Sequence, residues 1–173
     1  MWQYTSSGMV DGISGTVDMN FQIGYPKDHG SAGDTEENAI PMYRLYNPNS
    51  GEHFYTGSIV ERDDVVRAGW NYEGIAFYAP SEGEAVHRLY NPNSGDHHYT
   101  PYQDEADMLK NAGWRYEGIA WYSSLGKEVP LYRLWNKNAD CGSHHYTAST
   151  EERDWLIGLG WIDEGIGWYG INK

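Results

Sequence analysis

Histidines recur at fixed positions in this chain and are the first residues to consider for chemistry. His53, His97 and His144 each begin a short run that ends in Tyr-Thr, and His98 and His145 follow two of them. A zinc site needs three or four ligands that converge on one ion. Adjacent residues of a predicted strand point to opposite faces, so His97 and His98 are unsuited to binding the same ion. We therefore predict no metal site and no cofactor.

Nucleophilic catalysis would need a cysteine or serine beside a histidine. Cys141 lies three residues before His144, in a loop that is longer than its counterparts elsewhere in the chain. Whether two residues form a catalytic pair depends on their distance in the folded protein and not on their separation in the sequence. A catalytic Cys141–His144 pair is therefore an alternative, and a free loop cysteine is the simpler interpretation. It is the chain's single cysteine, which rules out an internal disulfide.

Glutamates and arginines also recur together and could serve as acids or as ion pairs. A structural ion pair is the interpretation we favour, because glycoside cleavage needs two carboxyl groups in one cleft. The recurring residues are Glu73, Glu117, Glu164, Arg44, Arg88 and Arg133. The chain is thus predicted not to be an enzyme.

Ligand binding uses the recurring pattern better than catalysis does. An aromatic ring followed by Asn suits a sugar, which has apolar C–H faces and hydroxyl edges, and His and Tyr of the next strand would complete each pocket. The predicted ligand-binding residues are Tyr46, Asn47, His53, Tyr55, Tyr90, Asn91, His97, Tyr99, Trp135, Asn136, His144 and Tyr146. Three weak sites on one body would gain affinity for a polymer through avidity.

These residues belong to a unit of about 44 residues that occurs three times, in repeats 42–85, 86–130 and 131–173. Each unit is predicted to hold a β-hairpin, a short helix and a further β segment. Ser58 and Ser149 precede a Glu by three residues, which is typical of a helix start, and a Gly-Trp pair marks each helix end. We predict that the core contains Leu45 and its equivalents, the Gly-Trp pairs, and the Ile-Ala-aromatic segments. In the third copy, Gly replaces the Ala of that segment. The third copy carries extra residues in its hairpin loop.

One such unit is too small and too poor in aliphatic residues to fold alone, so the copies must share a core. Three copies without atypical terminal repeats favour a closed arrangement. We predict an all-β fold with short helices, resembling a β-trefoil with pseudo-threefold symmetry. An open row of modules is the alternative.

The residues before the repeats divide into two parts. Residues 1–24 contain two short β-prone runs around a glycine-rich turn, too little to bury a core. Residues 25–41 are rich in Gly, Pro, Ser and acidic residues and are predicted to be a linker.

Residues 1–24 resemble the carboxy-terminal end of the catalytic barrel of glycoside hydrolase family 25 lysozymes, the muramidases common in bacteriophage endolysins. The matching residues are Trp2-Gln3-Tyr4, a glycine-rich turn, and Val17-Asp18-Met19-Asn20. The resemblance implies that Asp18 matches an acidic residue of the family's active site. The family's other catalytic carboxylates have no match here, so Asp18 would be a relic of the barrel site.

Residues 42–169 resemble a repeat that is appended to bacterial cell-wall hydrolases and endolysins; the matching segments are Tyr-Arg-Leu-Tyr-Asn, His-Phe-Tyr-Thr, Ala-Gly-Trp and Tyr-Glu-Gly-Ile-Ala-Phe-Tyr. The resemblance implies a non-catalytic module that binds peptidoglycan or another wall glycan. The alternative is a structural or oligomerisation scaffold that positions a full-length lytic partner. An internal translation start or a truncation at Met1 would produce such a chain.

The net charge limits the classes of partner that we expect. The net charge is −13, which argues against nucleic acid and anionic membranes as partners. We expect a cell-wall glycan as partner, with self-association or assembly with a full-length endolysin. The sequence has no recognisable signal peptide, so we expect synthesis in the host cytoplasm and action at the cell wall.

Overall fold

The computed structural model describes residues 39–173, which form three copies of one strand–strand–helix–strand unit. The predictions for residues 1–24, including Asp18, and for residues 25–38 of the linker lie outside this range. The first strand begins at Ala39, so residues 39–41 of the predicted linker belong to the first sheet.

The twelve elements follow each other in the same order in each copy. The first copy contains β1 (Ala39–Tyr46), β2 (His53–Thr56), α1 (Ile59–Arg67) and β3 (Asn71–Pro80). The second contains β4 (Glu84–Tyr90), β5 (His97–Thr100), α2 (Gln103–Asn111) and β6 (Arg115–Ser123). The third contains β7 (Val129–Trp135), β8 (His144–Thr147), α3 (Thr150–Gly158) and β9 (Ile162–Gly170).

The predicted helix starts are confirmed in the first and third copies. Ser58 Oγ accepts a hydrogen bond from the backbone N–H of Glu61 at 3.2 Å, and Ser149 Oγ accepts one from Glu152 at 3.1 Å. Each bond satisfies one of the free N–H groups of a helix N-terminus. Each helix ends shortly before a glycine with positive φ, as at Gly69 with φ 99°, which a side chain would disfavour.

Each copy forms its own three-stranded antiparallel sheet, with the first strand of the copy in the middle, in the orders β2-β1-β3, β5-β4-β6 and β8-β7-β9. Leu45, Leu89 and Leu134 lie on these central strands and are fully buried, which confirms their assignment to the core.

A β-bulge in each sheet changes the face of the last strand. In the first copy Met42 pairs with Phe77 and Tyr43 pairs with Ile75, so Ala76 is the extra residue. An extra residue turns the side chains on its two sides to opposite faces. Phe77 is therefore buried, while Ile75 is 46% exposed. The prediction that the isoleucines of the Ile-Ala-aromatic segments are core is wrong, and Ile119 and Ile166 are exposed in the same way.

The shared core is built mainly from aromatic rings of all three copies. Phe77, Trp121 and Trp168 hold matching positions on β3, β6 and β9, and their ring centroids lie 5.2–6.1 Å apart. Met42, Val86 and Leu131 also belong to this cluster. The copies thus bury one core together, as their small size requires.

Three buried tyrosines close the arrangement. The hydroxyl of Tyr55 donates to the carbonyl of Tyr146 at 2.9 Å, that of Tyr99 to the carbonyl of Tyr55 at 3.0 Å, and that of Tyr146 to the carbonyl of Tyr99 at 3.1 Å. Each hydroxyl also accepts from the backbone N–H of the same partner. Because the third copy bonds back to the first, the copies form a closed ring and not an open row.

The fold is thus mostly β with three short helices, as predicted, but a β-trefoil is not confirmed. Strand pairing among residues 39–173 stays within the copies, apart from an isolated bridge between Tyr78 and Ile171. The described residues contain no helix that is long and apolar enough to cross a membrane.

Candidate functional site

The tyrosines predicted to complete the ligand pockets lie in the core. Tyr55, Tyr99 and Tyr146 are at most 1% exposed. Their hydroxyls are bonded to the backbone of the neighbouring copy, and burial raises the pKa of all three phenols. The structure thus places these three phenols in the interior, where their hydroxyls hold neighbouring copies together.

The predicted asparagines shape the hairpin loops. The side-chain oxygen of Asn47 accepts from the backbone N–H of Asn49 at 2.9 Å, and those of Asn91 and Asn136 accept from the residue two positions later. Such a turn stabilises the loop locally. The asparagine oxygens therefore have a structural role in the loops.

The predicted aromatic platform differs between the copies. The Tyr90 ring is 2% exposed and lies under the Arg115 guanidinium at 4.7 Å. Tyr46 is half-buried against His53, with the ring centroids 5.0 Å apart, and Trp135 is 37% exposed. Of the three equivalent positions, the third copy offers the most accessible ring.

The predicted histidines lie at the boundaries between copies and contact glutamates. His53 Nε2 is 3.4 Å from Glu73, and His144 Nε2 is 3.2 Å from Glu164. Burial, a neighbouring histidine and a neighbouring arginine lower the pKa of His53 to about 3, and the same combination acts on His144. Both imidazoles are neutral near pH 7.

Each recurring arginine joins two copies. Arg44 Nε is 2.8 Å from Glu73 of its own copy, and Arg44 Nη1 is 3.0 Å from Glu152 of the third copy's helix. Arg88 bridges Glu117 and Glu61 in the same way. Arg133 likewise bridges Glu164 and Glu105. The ion pairs therefore run around the ring of copies, which confirms the structural interpretation of the Arg–Glu pattern.

The helix glutamates of this cycle were missed by sequence reasoning. Glu61 and Glu152 follow a helix-capping serine by three residues, where a Glu side chain is expected to turn back to the serine N–H. In both cases a threonine hydroxyl accepts from that N–H instead. The glutamate side chain is thereby free to reach the arginine of the next copy. The missing signal was the competing threonine two residues before the serine.

The second-copy histidine has surroundings unlike its equivalents. His97 Nδ1 lies 2.6 Å from Glu52 Oε1 of the first copy, and Phe54 occupies the position that a second histidine takes at the other boundaries. Burial alone would lower the pKa of His97, but the Glu52 carboxylate outweighs burial and raises it. His97 thus holds its proton more tightly than a solvated histidine.

The long hairpin loop of the third copy closes over the other two. Asp96 Oδ1 accepts from the backbone N–H of Gly142 at 3.0 Å, and its Oδ2 accepts from Ser143 Oγ at 2.8 Å. Gly142 has φ 65°, and a Cβ there would lie 2.5 Å from the carbonyl oxygen of Gly51. Glycine is needed at this close approach.

Cys141 lies in this loop and points to a carboxylate. Its Sγ is 3.9 Å from Glu52 Oε2. Burial, together with Glu52 and Asp96, raises the pKa of the Cys141 thiol to about 12. The thiolate is the nucleophilic form of cysteine, and a raised pKa disfavours it. The Nδ1 atom of His144, the alternative catalytic partner of Cys141, lies 3.2 Å from Ser143 Oγ. Within residues 39–173, no three His, Cys, Asp or Glu side chains are arranged to hold a metal ion.

A surface cleft opens where the third copy meets the first. Its volume is about 410 Å³, and we call it the third–first cleft. Its lining includes Arg44, Glu73, Ile75, Thr147, Ala148 and Glu152. The Arg44 ion pairs form its polar floor and Ile75 contributes an apolar wall. The bulge described above is what turns Ile75 toward this cleft.

Comparison with known proteins gives a family but no relative with a described activity. Searches of curated proteins and of solved structures find no match. A family model described as Domain of unknown function (DUF5648) matches residues 41–171, which include all three copies. The chain belongs to the DUF5648 family.

Proposed function

We propose that this protein is a non-catalytic module that binds a bacterial cell-wall glycan, with the third–first cleft as its principal site. The observation that carries the proposal is the combination of a fixed polar floor and an exposed apolar wall in one cleft. A sugar ring presents hydroxyl edges and apolar C–H faces, so it needs both kinds of surface.

The polar floor is held in place before any ligand arrives. Arg44 Nη1 is 3.0 Å from both carboxylate oxygens of Glu152, and its Nε contacts Glu73. A guanidinium has five N–H donors, so donors remain for a ligand hydroxyl. A floor fixed in this way loses little conformational entropy when a ligand binds.

The apolar wall and the size of the cleft fit a small glycan segment. Ile75 is 46% exposed, and Ala148 lies on the opposite copy. Ligand sites commonly have volumes of roughly 300–1,000 Å³, and the cleft volume of about 410 Å³ falls in that range. The aliphatic side chains would contact the C–H face of a sugar while its hydroxyls face the floor.

The arginine and the exposed isoleucine of the third–first cleft recur at the other two boundaries between copies, which supports multivalent binding. Arg88 with Ile119, and Arg133 with Ile166, match Arg44 with Ile75 in sequence position. The isoleucines are exposed at 48% and 40%. Weak sites on one rigid body gain affinity for a repeating polymer.

The assignment to a phage or bacterial endolysin of the family 25 lysozyme type is part of the same proposal. It is supported by the resemblance of residues 1–24 and 42–169 described above. The finer fold assignment, a trefoil-like closure with pseudo-threefold symmetry, is likewise a proposal. Its support is the cyclic bonding of Tyr55, Tyr99 and Tyr146 and the cyclic Arg–Glu pairs.

The negative charge constrains how binding would work. With a net charge of −13, the protein is repelled at long range by anionic wall polymers such as teichoic acids. Binding would then rest on short-range contacts, which salt screens weakly. Retention on walls should survive about 0.5 M salt, where the Debye length falls to roughly 4 Å.

Sedimentation with purified Gram-positive cell walls tests the proposal. We expect the protein to pellet with walls, with and without teichoic acid removed, and to leave wall turbidity unchanged. The Ile75→Asp variant should lose most of the binding, because it places a charge on the apolar wall. Met108→Asp is the matched control, since Met108 is 61% exposed on α2 and does not line the cleft.

Each outcome decides between the alternatives. A protein that stays in the supernatant with both wall preparations is not a wall-binding module, and the scaffold alternative then takes its place. Loss of turbidity would overturn the non-catalytic assignment. Equal loss of binding in the Ile75→Asp and Met108→Asp variants would show that the site lies elsewhere.

A further inference from the structure

Among the described residues, the glutamate on the last strand of a copy contacts two arginines in the second copy and one arginine in each of the other two. Glu117 contacts Arg88 at 3.0 Å and Arg115 at 3.1 Å, and its side chain is 9% exposed. Glu73 contacts Arg44 as its one arginine among the described residues, and its side chain is 31% exposed. The second copy therefore pairs this carboxylate with two arginines, and the first copy pairs it with one.

A single sequence position causes the difference. Arg115 is the first residue of β6, and its counterpart on β3 is Asn71, which is exposed. The counterpart on β9 is Ile162. The first copy thus lacks the cation that the second copy supplies at the same place.

Nearby groups do not replace the missing cation. Arg44 also serves Glu152, so one guanidinium is shared by two carboxylates. His53 lies 3.4 Å from Glu73 but is neutral, as described above. Glu152 is better compensated, because it lies in the first turn of α3 and 3.3 Å from His145 Nε2. Glu73 is the less compensated carboxylate of the third–first cleft.

Glu73 also retains room for a further donor. Its contacts with Arg44 and His53 both involve Oε2, and a carboxylate accepts hydrogen bonds at both oxygens. Oε1 therefore has no arginine or histidine partner within residues 39–173, and Glu73 lines the cleft. A protonated amine supplies both the missing positive charge and the missing donor, whereas a phosphate or carboxylate would meet repulsion.

We propose that the third–first cleft binds an amino sugar with a free, protonated amine, and that the Glu73 carboxylate binds that ammonium group. This inference rests on the proposed function, since it assigns the class of sugar to the same cleft. The hydroxyls of the sugar lie on the Arg44 side and its C–H face lies against Ile75.

Binding of β-1,4-linked glucosamine oligosaccharides, measured by calorimetry at pH 6, tests the inference. The comparison ligand is the fully N-acetylated oligosaccharide of the same length, which is neutral. We expect the amine form to bind at least about tenfold more tightly, because its ammonium group forms a charged hydrogen bond with Glu73 that the acetamide group does not form.

The decisive variant is Asn71→Arg, which introduces the arginine that the second copy already has. It should fold normally, because Asn71 is exposed and Arg115 makes the equivalent contact. It should remove the preference for the amine by pairing with Glu73. Glu73→Gln should have the same effect. Met108→Arg adds the same charge at an exposed position of α2 outside the cleft lining, so it is the matched control that should leave the preference intact.

The outcomes separate the two proposals. If both oligosaccharides bind equally, or the preference survives in Asn71→Arg, the amine inference is wrong and glycan binding at the cleft stands. If neither oligosaccharide binds and cell walls do not retain the protein, both proposals fail.

Discussion

His97 Nδ1 lies 2.6 Å from Glu52 Oε1, although the two residues come from different copies of the repeat. The same carboxylate oxygen accepts from the backbone N–H of His97 at 2.9 Å, and Glu52 is 2% exposed. The contact therefore joins the hairpins of the first and second copies through a buried, charged hydrogen bond. Such bonds are stronger than neutral ones when both partners are present.

Replacing Glu52 should destabilise the protein in a pH-dependent way. The folded-state pKa of His97 is raised above its unfolded value of 6.5, so its contribution is fully present below pH 6.5 and is lost as pH rises through the folded pKa. Glu52→Gln should lower the free energy of unfolding by about 2–4 kcal/mol at pH 6, and by less at pH 9. Urea denaturation across this range measures the difference.

Asp96→Asn provides the control for this prediction. Asp96 is the equivalent buried acid of the second copy, and its partners are Gly142 and Ser143, which do not titrate. Its loss should cost a similar free energy at pH 6 and pH 9. Identical pH profiles for the two variants would show that His97 does not hold its proton through Glu52.

The boundary histidines should weaken the fold on acidification. Because the folded-state pKa of His53 and of His144 is about 3 against 6.5 when unfolded, the unfolded chain binds more protons between these values. Stability should therefore fall as pH drops from 6.5 toward 3, by up to about 1.4 kcal/mol per pH unit for each histidine. The double variant His53→Gln/His144→Gln should have a shallower acid slope in urea titrations, and an unchanged slope would contradict this prediction.

Removing one arginine of the cycle should be costly where the ion pair is most buried. Arg88→Met leaves Glu61 and Glu117 without their shared cation, and we expect a loss of about 3–5 kcal/mol. Arg44→Met should cost less, since the side chains of Arg44, Glu73 and Glu152 are more exposed. Thermal and urea unfolding check the order, and a larger effect at Arg44 would refute it.

Because Tyr55, Tyr99 and Tyr146 form a closed ring of hydrogen bonds, removing one hydroxyl group should lower the free energy of unfolding. Tyr99→Phe leaves the backbone N–H and carbonyl of Tyr55 without their partner inside the core. Unsatisfied buried groups cost about 1–3 kcal/mol each, so a loss of about 2 kcal/mol or more is expected in urea unfolding. Tyr46→Phe is the control at a half-buried position outside the ring, and it should change stability by less than about 0.5 kcal/mol.

The Cys141 thiol should react slowly in the folded protein. Its pKa of about 12 leaves little thiolate at pH 8. Labelling with a disulfide reagent should be at least about a hundredfold slower than in the urea-unfolded chain. In Glu52→Gln the neighbouring carboxylate charge is gone, so labelling should accelerate; a rate equal to that of the parent protein would contradict the proposed role of Glu52.

Much of the fold followed from patterns local to one copy. Leu45 on the middle strand, the capping Ser58 and Ser149, and the positive-φ Gly69 all have the roles predicted for them, because each depends on neighbours within a few residues. The site prediction fared differently. Tyr55 lies on the expected strand, but its side chain is directed to the centre of the molecule, where the three copies meet.

The sequence alone determined that the chain contains three equivalent units, the order of strands and helix within each unit, where the first and third helices begin, and where all three helices end. These properties depend on residue type and short-range spacing. Only the tertiary structure decided that Glu61 meets Arg88 of the next copy, that Glu152 meets Arg44 across the closing boundary, and that a bulge turns Ile75 outward. Those contacts depend on the closure of the ring and on a register shift, and neither leaves a periodic signal along the chain.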